Sequence, residues 1–315
     1  MRTVLITGAA GFLGRRLTSA LISTGSLNGS PIGRLVLADL AAVPVPEAGG
    51  IDIVTRQGDI SDPAFLDTLV AERPDTIFHL ASLLTLQAEA DPSRAFAVNV
   101  EPLRRLIDGA ENCPRVVFTS SIAIHGGTLP DRVGDGLNPV PATTYGTHKA
   151  INELLIADYS RHGRIDGRCL RLPIVVTRPG APLPAISDQV AGIIREPLAG
   201  IDLTAPLAPD TPVAIVSAGA VVAALIRLHD TEAADLPQKR ALNLPALTVT
   251  VAEMVAAGQR HGATGRVTYR PDPQVQAIVD GWPRHFVSEA AAGLGIAPDA
   301  DLDALIRDHL DNREG

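Results

Sequence analysis

The sequence predicts an α/β protein built on a doubly wound parallel sheet, with a smaller C-terminal region added to it. Short apolar runs rich in β-branched residues alternate with amphipathic segments through the first half of the chain. Strands that are apolar throughout are typical of parallel sheets covered by helices on both faces. At 315 residues the chain exceeds a typical domain of about 100–200 residues, which leaves room for an additional region.

Six runs are predicted to be strands: Thr3–Thr7, Leu35–Asp39, Ile51–Gln57, Thr76–Ala81, Val116–Ser120 and Cys169–Val176. Helical spacing between them places two sets of residues on shared faces. The first set is Leu13, Arg16, Leu17, Ala20 and Leu21, and the second is Phe96, Val100, Leu103 and Ile107. Right-handed crossovers between such strands produce a doubly wound sheet.

The pattern changes after Thr177, where frequent prolines divide the chain into short pieces. Later elements are predicted as a strand over Val213–Val216 and helices over Ala218–His229, Thr250–His261 and Leu302–Leu310. We therefore predict a core domain over residues 1–176, to which 213–245 return. Residues 177–212 and 246–315 are predicted to form a smaller substrate-binding region at the carboxyl edge of the sheet.

Net charge, cysteine content and the lengths of the apolar runs indicate which kinds of binding partner to expect. A net charge of −8 disfavours nucleic acid, which calls for a basic face, but leaves room for a small anionic substrate in a locally positive pocket. Two cysteines without metal-ligand spacing predict neither a metal site nor a disulfide framework. The sequence has no apolar run near the roughly 18–20 residues that span a bilayer. We expect a cytoplasmic protein with no membrane partner.

The strongest local motif is a glycine-rich turn over Thr7–Gly14, placed between the first strand and a helix. Gly8 permits a tight turn, Gly11 lets the backbone approach a pyrophosphate, and Gly14 lets the helix pack against the sheet. The start of the helix then offers free N–H groups to phosphates. This context predicts a dinucleotide-binding Rossmann domain.

Acidic residues follow the next two strands. Asp39 can accept hydrogen bonds from both adenosine ribose hydroxyls and would repel a 2′-phosphate, which predicts NAD over NADP. The alternative is that Asp39 only caps the turn that follows the strand. Asp59 and Ile60 follow the third strand, where they could contact the adenine ring. Residues Leu80, Ala81 and Ser82 close the fourth strand over the cofactor.

A Tyr-x-x-x-Lys spacing places Tyr145 and Lys149 on one helical face. A lysine ammonium favours the phenolate, so Lys149 is expected to lower the pKa of Tyr145, as would a positively charged nicotinamide ring. Tyr145 could then accept the proton of an alcohol while hydride leaves its carbon. Ser121, at the end of the fifth strand, could bind the substrate oxygen.

Together these motifs resemble the extended short-chain dehydrogenase/reductase family, also called the NAD-dependent epimerase/dehydratase group. The resemblance is strongest up to about Gly180. It implies that Ser121 is the catalytic hydroxyl, with Ser120 the adjacent alternative, and that Asn99 helps to organise a proton-relay water. It also implies homodimers joined through helices near residues 95–110 and 146–160.

Dehydratases of the family carry acidic residues after the strand-end hydroxyl, where this chain has Ile122 and Ala123, so elimination of water is disfavoured. The stretches from Tyr145, Arg171 and Gly192 are similar to family members that oxidise D-erythronate, a four-carbon sugar acid, with NAD. That similarity implies oxidation of a 2-hydroxyl to a 2-oxo acid. A sugar-nucleotide 4-epimerase and a non-catalytic NAD-sensing protein remain alternatives.

A small carboxylate substrate needs a cationic anchor, and the candidates are Arg178 and Arg195. The expected substrate contacts are Ser82, Ser121, Tyr145, Arg178 and Arg195. The expected catalytic residues are Ser121, Tyr145, Lys149 and Asn99. The expected NAD contacts are Gly8, Gly11, Phe12, Leu13, Gly14, Asp39, Asp59, Ile60, Leu80, Ala81, Ser82, Asn99, Tyr145, Lys149 and Pro173.

Overall fold

The computed structural model describes residues 1–45, 47, 49–176 and 185–312. The chain divides into two compact units. The first comprises Met1–Ser121, Thr143–Arg171 and Val222–Leu242, and the second Ile122–Ala142, Leu172–Val221 and Asn243–Gly315. Each unit is described separately below.

The strands, in chain order, are β1 Arg2–Thr7, β2 Ser26–Leu27, β3 Ser30–Asp39, β4 Asp52–Gln57, β5 Thr76–His79, β6 Arg115–Ser121, β7 Arg132–Val133, β8 Asp166–Leu172, β9 Ile174–Val176, β10 Leu203–Ala205, β11 Pro212–Ser217, β12 Ala241–Asn243, β13 Leu247–Thr250, β14 Val267–Tyr269 and β15 His285–Phe286. The helices are α1 Phe12–Thr24, α2 Pro63–Ala71, α3 Thr85–Ala90, α4 Pro92–Asn99, α5 Glu101–Asp108, α6 Thr144–Arg161, α7 Ile186–Leu198, α8 Ala218–Asp230, α9 Val251–Arg260, α10 Pro273–Asp280, α11 Glu289–Gly293 and α12 Leu302–Asp311.

The first unit contains the main sheet, whose strand order over the described residues is β12-β8-β6-β5-β1-β3-β2, with β4 also paired to β3. The pairs β1–β3, β1–β5, β3–β4 and β5–β6 are parallel. Strands β4-β3-β1-β5-β6-β8 therefore follow the order of a dinucleotide-binding doubly wound sheet, in which the order reverses beside β1. The predicted fold class is confirmed.

The core of the first unit lies between this sheet and α2, α5 and α6. Buried Leu5 and Val116 from the sheet pack with Leu66 of α2, Leu103 of α5 and Ile156 of α6. The strands end at one edge, so Thr7, Asp39, His79 and Ser121 all lie at the carboxyl edge of the sheet. Ligands of such sheets bind at this edge, near the point where the strand order reverses.

Pro173 divides the predicted strand Cys169–Val176 into β8 and β9, which belong to different sheets. Proline has no N–H to donate to a ladder, so a continuous central strand cannot pass through it. The prediction of one strand here is wrong, although both halves are extended.

The predicted face of Phe96, Val100, Leu103 and Ile107 is also divided. Helix α4 ends at Asn99 and α5 begins at Glu101, with Pro102 in its first turn. Pro102 cannot donate the helical hydrogen bond to residue 98, which favours a break here. Phe96 on α4 is 40% exposed, whereas Leu103 on α5 is fully buried.

The second unit contains a three-stranded sheet of order β13-β11-β9, in which β11 is antiparallel to β13 and parallel to β9. Its core includes Ile174, Val190, Ile194, Ile215 and Met254. The strand predicted at Val213–Val216 is β11, and the helices predicted at Thr250–His261 and Leu302–Leu310 are α9 and α12. The helix predicted at Ala218–His229 is α8, which belongs to the first unit from Val222 onward. Within the described residues, no helix has the length and apolarity needed to cross a bilayer.

Candidate active site

The turn between β1 and α1 has the close backbone approaches that its glycines were predicted to permit. Gly8 has a φ of +75°, and a Cβ atom there would lie 2.8 Å from the amide nitrogen of Ala81. A Cβ on Gly14 would lie 2.2 Å from the carbonyl oxygen of Gly8, so α1 packs against the turn at a distance that only glycine allows. Gly11 is exposed and caps α1 without a side chain, which leaves the first N–H groups of the helix to a ligand.

Asp39 connects this turn to the end of β3. Its Oδ2 accepts a hydrogen bond of 2.9 Å from Ala10 N, and its Oδ1 accepts one of 3.0 Å from Ala41 N. Each carboxylate oxygen keeps a further lone pair, and the side chain is only half-buried. Asp39 thus caps the following turn and can also accept ribose hydroxyls, so the two roles considered for it are compatible.

Six further predicted cofactor residues of the first unit are half-buried. They are Phe12, Leu13, Ile60, Leu80, Ala81 and Ser82. Asp59 differs, because its carboxylate already binds the guanidinium of Arg94 and accepts hydrogen bonds of 2.9 and 2.8 Å from Ser61 N and Oγ. Burial acts to raise the pKa of Asp59, but the hydrogen bonds from Arg94 and Ser61 outweigh it and the pKa is lowered. The ion pair with Arg94 was not predicted.

Asn99 is buried at the end of α4, and its amide group holds the loop that follows β5. Its Oδ1 accepts from Leu83 N at 2.7 Å and from Ser82 Oγ at 3.2 Å, and its Nδ2 donates to Leu83 O at 3.1 Å. The backbone oxygen of Asn99 accepts from Asn152 Nδ2 at 2.6 Å. These contacts give Asn99 a loop-positioning role, whereas the relay water expected of it remains a prediction.

Helix α6 places Tyr145 and Lys149 at the end of β6. Thr143 caps the helix by accepting from Gly146 N at 3.0 Å, which fixes the first turn, where Tyr145 lies. Lys149 Nζ donates to Thr119 O at 2.7 Å and lies 5.4 Å from the centre of the Tyr145 ring. The side chain of Ser121 is hydrogen-bonded to Tyr145. The three predicted catalytic side chains are therefore neighbours in the first unit.

The two serines at the end of β6 differ in their partners. Ser120 is buried and donates from Oγ to Glu153 Oε1 at 2.5 Å. Ser121 is only half-buried and contacts Tyr145. Because the hydroxyl of Ser120 is held inside the unit, the geometry favours Ser121 over Ser120 as the hydroxyl that meets a substrate.

Burial dominates the electrostatics of this group. It raises the pKa of Tyr145 to about 12, against the smaller opposite effect of the Ser121 hydrogen bond. It lowers the pKa of Lys149 to about 7, and Cys169 and Glu153 oppose this only in part. In the protein without cofactor, the expectation that Lys149 lowers the pKa of Tyr145 is therefore not met. Burial also destabilises the Lys149 ammonium whose charge was expected to do so.

Arg195, one of the two candidate carboxylate anchors, lies on α7 in the second unit and is 3% exposed. Its guanidinium donates to both Asp188 oxygens at 2.6 and 3.1 Å and to Glu196 Oε1 at 2.8 Å. Two carboxylates thus already pair with its guanidinium, and the anchor role of Arg195 remains a prediction. Arg178 lies outside the described residues, and Pro173 lies between β8 and β9.

Two features of the site were not singled out from the sequence: the carboxylate of Glu153 and the guanidinium of Arg171. The spacing Tyr145, Lys149, Glu153 would have indicated the first, since all three lie on one helical face. Among the described residues, no group of His, Cys, Asp and Glu side chains is arranged to hold a metal ion.

A glycine-rich turn before α1, a carboxylate at the end of β3 and neighbouring Ser, Tyr and Lys side chains on one doubly wound sheet are typical of NAD-dependent oxidoreductases. The model of the NAD dependent epimerase/dehydratase family matches residues 4–205, and the chain belongs to this family. This confirms the resemblance drawn from the motifs and supports an NAD-type cofactor.

Similar proteins cover nearly the whole chain. D-erythronate dehydrogenase from Cupriavidus necator is 42% identical over 98% of this chain and 98% of its own length. D-erythronate dehydrogenase from Haemophilus influenzae is 33% identical with the same coverage. A crystal structure described as the nucleoside-diphosphate-sugar epimerase from Agrobacterium tumefaciens superposes with a TM-score of 0.93 at 34% identity, over 99% of this chain and 94% of that one.

Proposed function

We propose that this protein oxidises the 2-hydroxyl of a small sugar acid of the D-erythronate type to the 2-oxo acid, with NAD as the hydride acceptor. The observation that carries the proposal is the contact between Ser121 and Tyr145, with Lys149 beside them, at the carboxyl edge of a sheet that ends in a pyrophosphate cradle. The two relatives named D-erythronate dehydrogenase, at 42% and 33% identity, support the choice of substrate class.

Each side chain has a defined part in this reaction. Bound oxidised NAD supplies the hydride acceptor and a positive ring, whose charge favours the Tyr145 phenolate. Ser121 holds the substrate hydroxyl in a hydrogen bond, and Tyr145 accepts its proton. Lys149 stabilises the phenolate and would hold the ribose hydroxyls, and Asn99 keeps the Ser82–Leu83 loop in place. In the reverse direction Tyr145 donates the proton to the carbonyl oxygen.

The preference for NAD over NADP rests on Asp39. Its carboxylate is anchored by Ala10 N and Ala41 N, so it cannot easily turn away from a 2′-phosphate placed beside it. A fixed carboxylate at this position favours ribose hydroxyls and repels a second negative charge.

The group that binds the substrate carboxylate is proposed to come from residues 177–212 and 246–315. Arg178 and Arg195 are the two candidates, and the guanidinium of Arg195 is already paired with Asp188 and Glu196. A guanidinium suits the role because it binds a carboxylate with two parallel hydrogen bonds.

A sugar-nucleotide 4-epimerase is the second candidate, because epimerases use the same Ser–Tyr–Lys group and the similar Agrobacterium structure is described as an epimerase. The two functions differ in their use of the cofactor. A dehydrogenase releases NADH with each turnover, whereas an epimerase returns the hydride to its substrate and yields no net NADH.

The test is NADH formation, followed at 340 nm, across four- to six-carbon sugar acids, with UDP-sugars as controls. The proposal expects NADH with a 2,3,4-trihydroxy acid and none with UDP-sugars. Conversion of a UDP-sugar without NADH would establish the epimerase instead. NAD binding with no turnover of any compound would indicate a sensing protein.

We also propose that the protein forms a homodimer through α4, α5 and α6. Leu154 on α6 is 71% exposed and Phe96 on α4 is 40% exposed, and both lie within the helices that the family resemblance assigns to the interface. Sedimentation should give about twice the 32.9 kDa chain mass for the native protein, and Leu154→Glu should yield monomers. A native protein that sediments as a monomer contradicts this proposal.

A further inference from the structure

Glu153 lies one turn after Lys149 on α6. Residues four apart share a helical face, so Tyr145, Lys149 and Glu153 point to the same side of the helix. Glu153 is only 5% exposed. Carboxylates are rarely buried to this extent unless they are paired, so its partners define what it does.

The carboxylate of Glu153 joins α6 to the ends of two strands. Its Oε1 accepts from Ser120 Oγ at 2.5 Å and from Arg171 Nε at 2.9 Å, and its Oε2 accepts from Arg171 Nη2 at 2.7 Å. Ser120 lies at the end of β6 and Arg171 at the end of β8, and these strands are neighbours in the sheet. The two-pronged pair with Arg171 gives this connection a fixed orientation.

The same helix makes two further contacts with the end of β6. Tyr145 is hydrogen-bonded to Ser121, and Lys149 Nζ donates to Thr119 O at 2.7 Å. Three successive turns of α6 therefore contact three consecutive residues, Thr119–Ser121. We propose that Glu153 is a positioning residue of the active site, and that the Ser120–Glu153–Arg171 network holds Tyr145 and Lys149 beside Ser121. This inference rests on the proposed function, in which these side chains carry out the reaction.

Glu153 influences the protonation of Lys149 through its charge, in addition to holding Lys149 in place. The groups that face Lys149 are Glu153 and Tyr145 on α6, Phe118 on β6, Cys169 on β8 and His79 on β5. Burial raises the pKa of the Cys169 thiol and lowers that of His79 to about 3, so both are neutral at pH 7. With the Cys169 thiol neutral, Glu153 is the carboxylate among these described groups that favours the ammonium.

The composition of the chain permits a direct measurement. The sequence contains two lysines, Lys149 and Lys239, so lysine labelled with ¹³C and ¹⁵N at the ε position gives two NMR signals. Lys149→Met assigns them. The titration midpoint of Lys149 is measured without cofactor in the wild type, Glu153→Gln and Glu153→Asp, and kcat and KM are measured with a sugar acid and NAD.

Glu153→Gln should lower the Lys149 midpoint by about one pH unit, because a neighbouring negative charge is lost. Glu153→Asp keeps that charge but withdraws the carboxylate by one methylene. It should leave the midpoint near the wild-type value and reduce kcat by about 10- to 100-fold, through misplacement of the reacting groups. Glu153→Asp also carries the test if Glu153→Gln does not fold.

Asp166→Asn is the matched control, because Asp166 pairs with Arg168 on the same strand, β8, but at its other end. This variant should lose stability while kcat and the Lys149 midpoint stay unchanged. The inference is overturned if Glu153→Asp keeps the wild-type kcat, or if Glu153→Gln leaves the Lys149 midpoint unchanged. A wild-type protein that oxidises no sugar acid refutes the proposed function, and the lysine titration still decides the influence of Glu153.

Discussion

The two ends of the sheet in the first unit both contain arginine–carboxylate groups, which are mostly half-buried at the amino end and buried at the carboxyl end. At the amino end, the carboxylate of Asp166 meets Arg115, Arg168 and Arg240. Arg168 also donates to three carbonyl oxygens at and just beyond the end of α8, at 2.7–2.9 Å. At the carboxyl end, Glu153 meets Arg171 and lies one helical turn from Lys149.

The difference lies in which groups titrate near neutral pH. At the amino end, burial lowers the pKa of Arg168 only to about 10 and that of His229 to about 4, so both have a fixed charge state at pH 7. At the carboxyl end, burial lowers the pKa of Lys149 to about 7. An ion pair therefore does not by itself indicate a functional site, and a buried group whose pKa lies near neutral pH is the better indicator.

Of the substitutions that distinguish the two ends, removal of the Tyr145 hydroxyl should have the largest effect on kcat. Tyr145→Phe should reduce kcat by about 10²–10⁴-fold, because the phenol oxygen that accepts the alcohol proton is removed. The matched control is Tyr159→Phe, farther along α6, whose hydroxyl donates to Asp108 at 2.8 Å. Steady-state kinetics should show a near-normal kcat for the control. A Tyr145→Phe enzyme with most of its activity would remove Tyr145 from the reaction.

These features differ in how far the sequence alone could predict them. The glycine turn, the strand ends at Asp39 and Ser121, and the Tyr145–Lys149 spacing are local patterns, and local patterns determine which turn or helix forms. The partners of a buried charge are not local: Glu153 and Arg171 are separated by 18 positions in the chain. The high pKa of Tyr145 depends on the packing around it, whereas the spacing to Lys149 indicates only the opposing charge.

Cofactor selection should give the next largest effect. Asp39→Asn retains an acceptor but loses the charge, so kcat/KM for NAD should fall by about 10- to 100-fold, equivalent to roughly 1.5–3 kcal/mol for a hydrogen bond to a charged group. Discrimination against NADP should weaken at the same time, since the repulsion is gone. Asp75→Asn is the control, because Asp75 accepts from Thr3 N at 2.8 Å at the amino end of the sheet. An unchanged NAD to NADP ratio in Asp39→Asn would contradict the role of Asp39.

A smaller effect concerns stability, where one histidine at each end of β5 should act alike. His79 ends β5 and His229 contacts Thr76 at its start, and both are neutral in the folded chain because burial lowers their pKa from 6.5 to about 3 and about 4. On acidification these histidines bind protons in the unfolded chain but not in the folded chain. The free energy of unfolding therefore falls as the pH decreases from about 6.5 toward 4. Each histidine should lower the free energy of unfolding by about 2 kcal/mol between pH 7 and pH 5.

Urea unfolding at the two pH values measures this, with His229→Gln compared with the exposed control His162→Gln. The His229 variant should lose less stability on acidification than the wild type, and the control should match the wild type. Equal losses in all three proteins would show that His229 does not stay neutral in the fold.

The smallest expected effect concerns the aromatic ring that lies beside the buried Lys149 ammonium at the carboxyl end. Lys149 Nζ lies 4.6 Å from the centre of the Phe118 ring, within the range of a cation–π interaction. Phe118→Leu removes about 0.5–1 kcal/mol of that attraction and should lower the Lys149 midpoint by roughly half a pH unit, measured by the same lysine NMR titration.

Phe78→Leu provides the control, because Phe78 is fully buried on the neighbouring strand β5 and its ring lies 5.7 Å from that of His229. Both variants lose a core ring and some stability, but only Phe118→Leu changes the surroundings of Lys149. Equal midpoints in the two variants would mean that the ring supports the core and not the ammonium. Glu153 would then be the chief local support for the charge of Lys149, and its replacement should shift the midpoint further than any aromatic substitution.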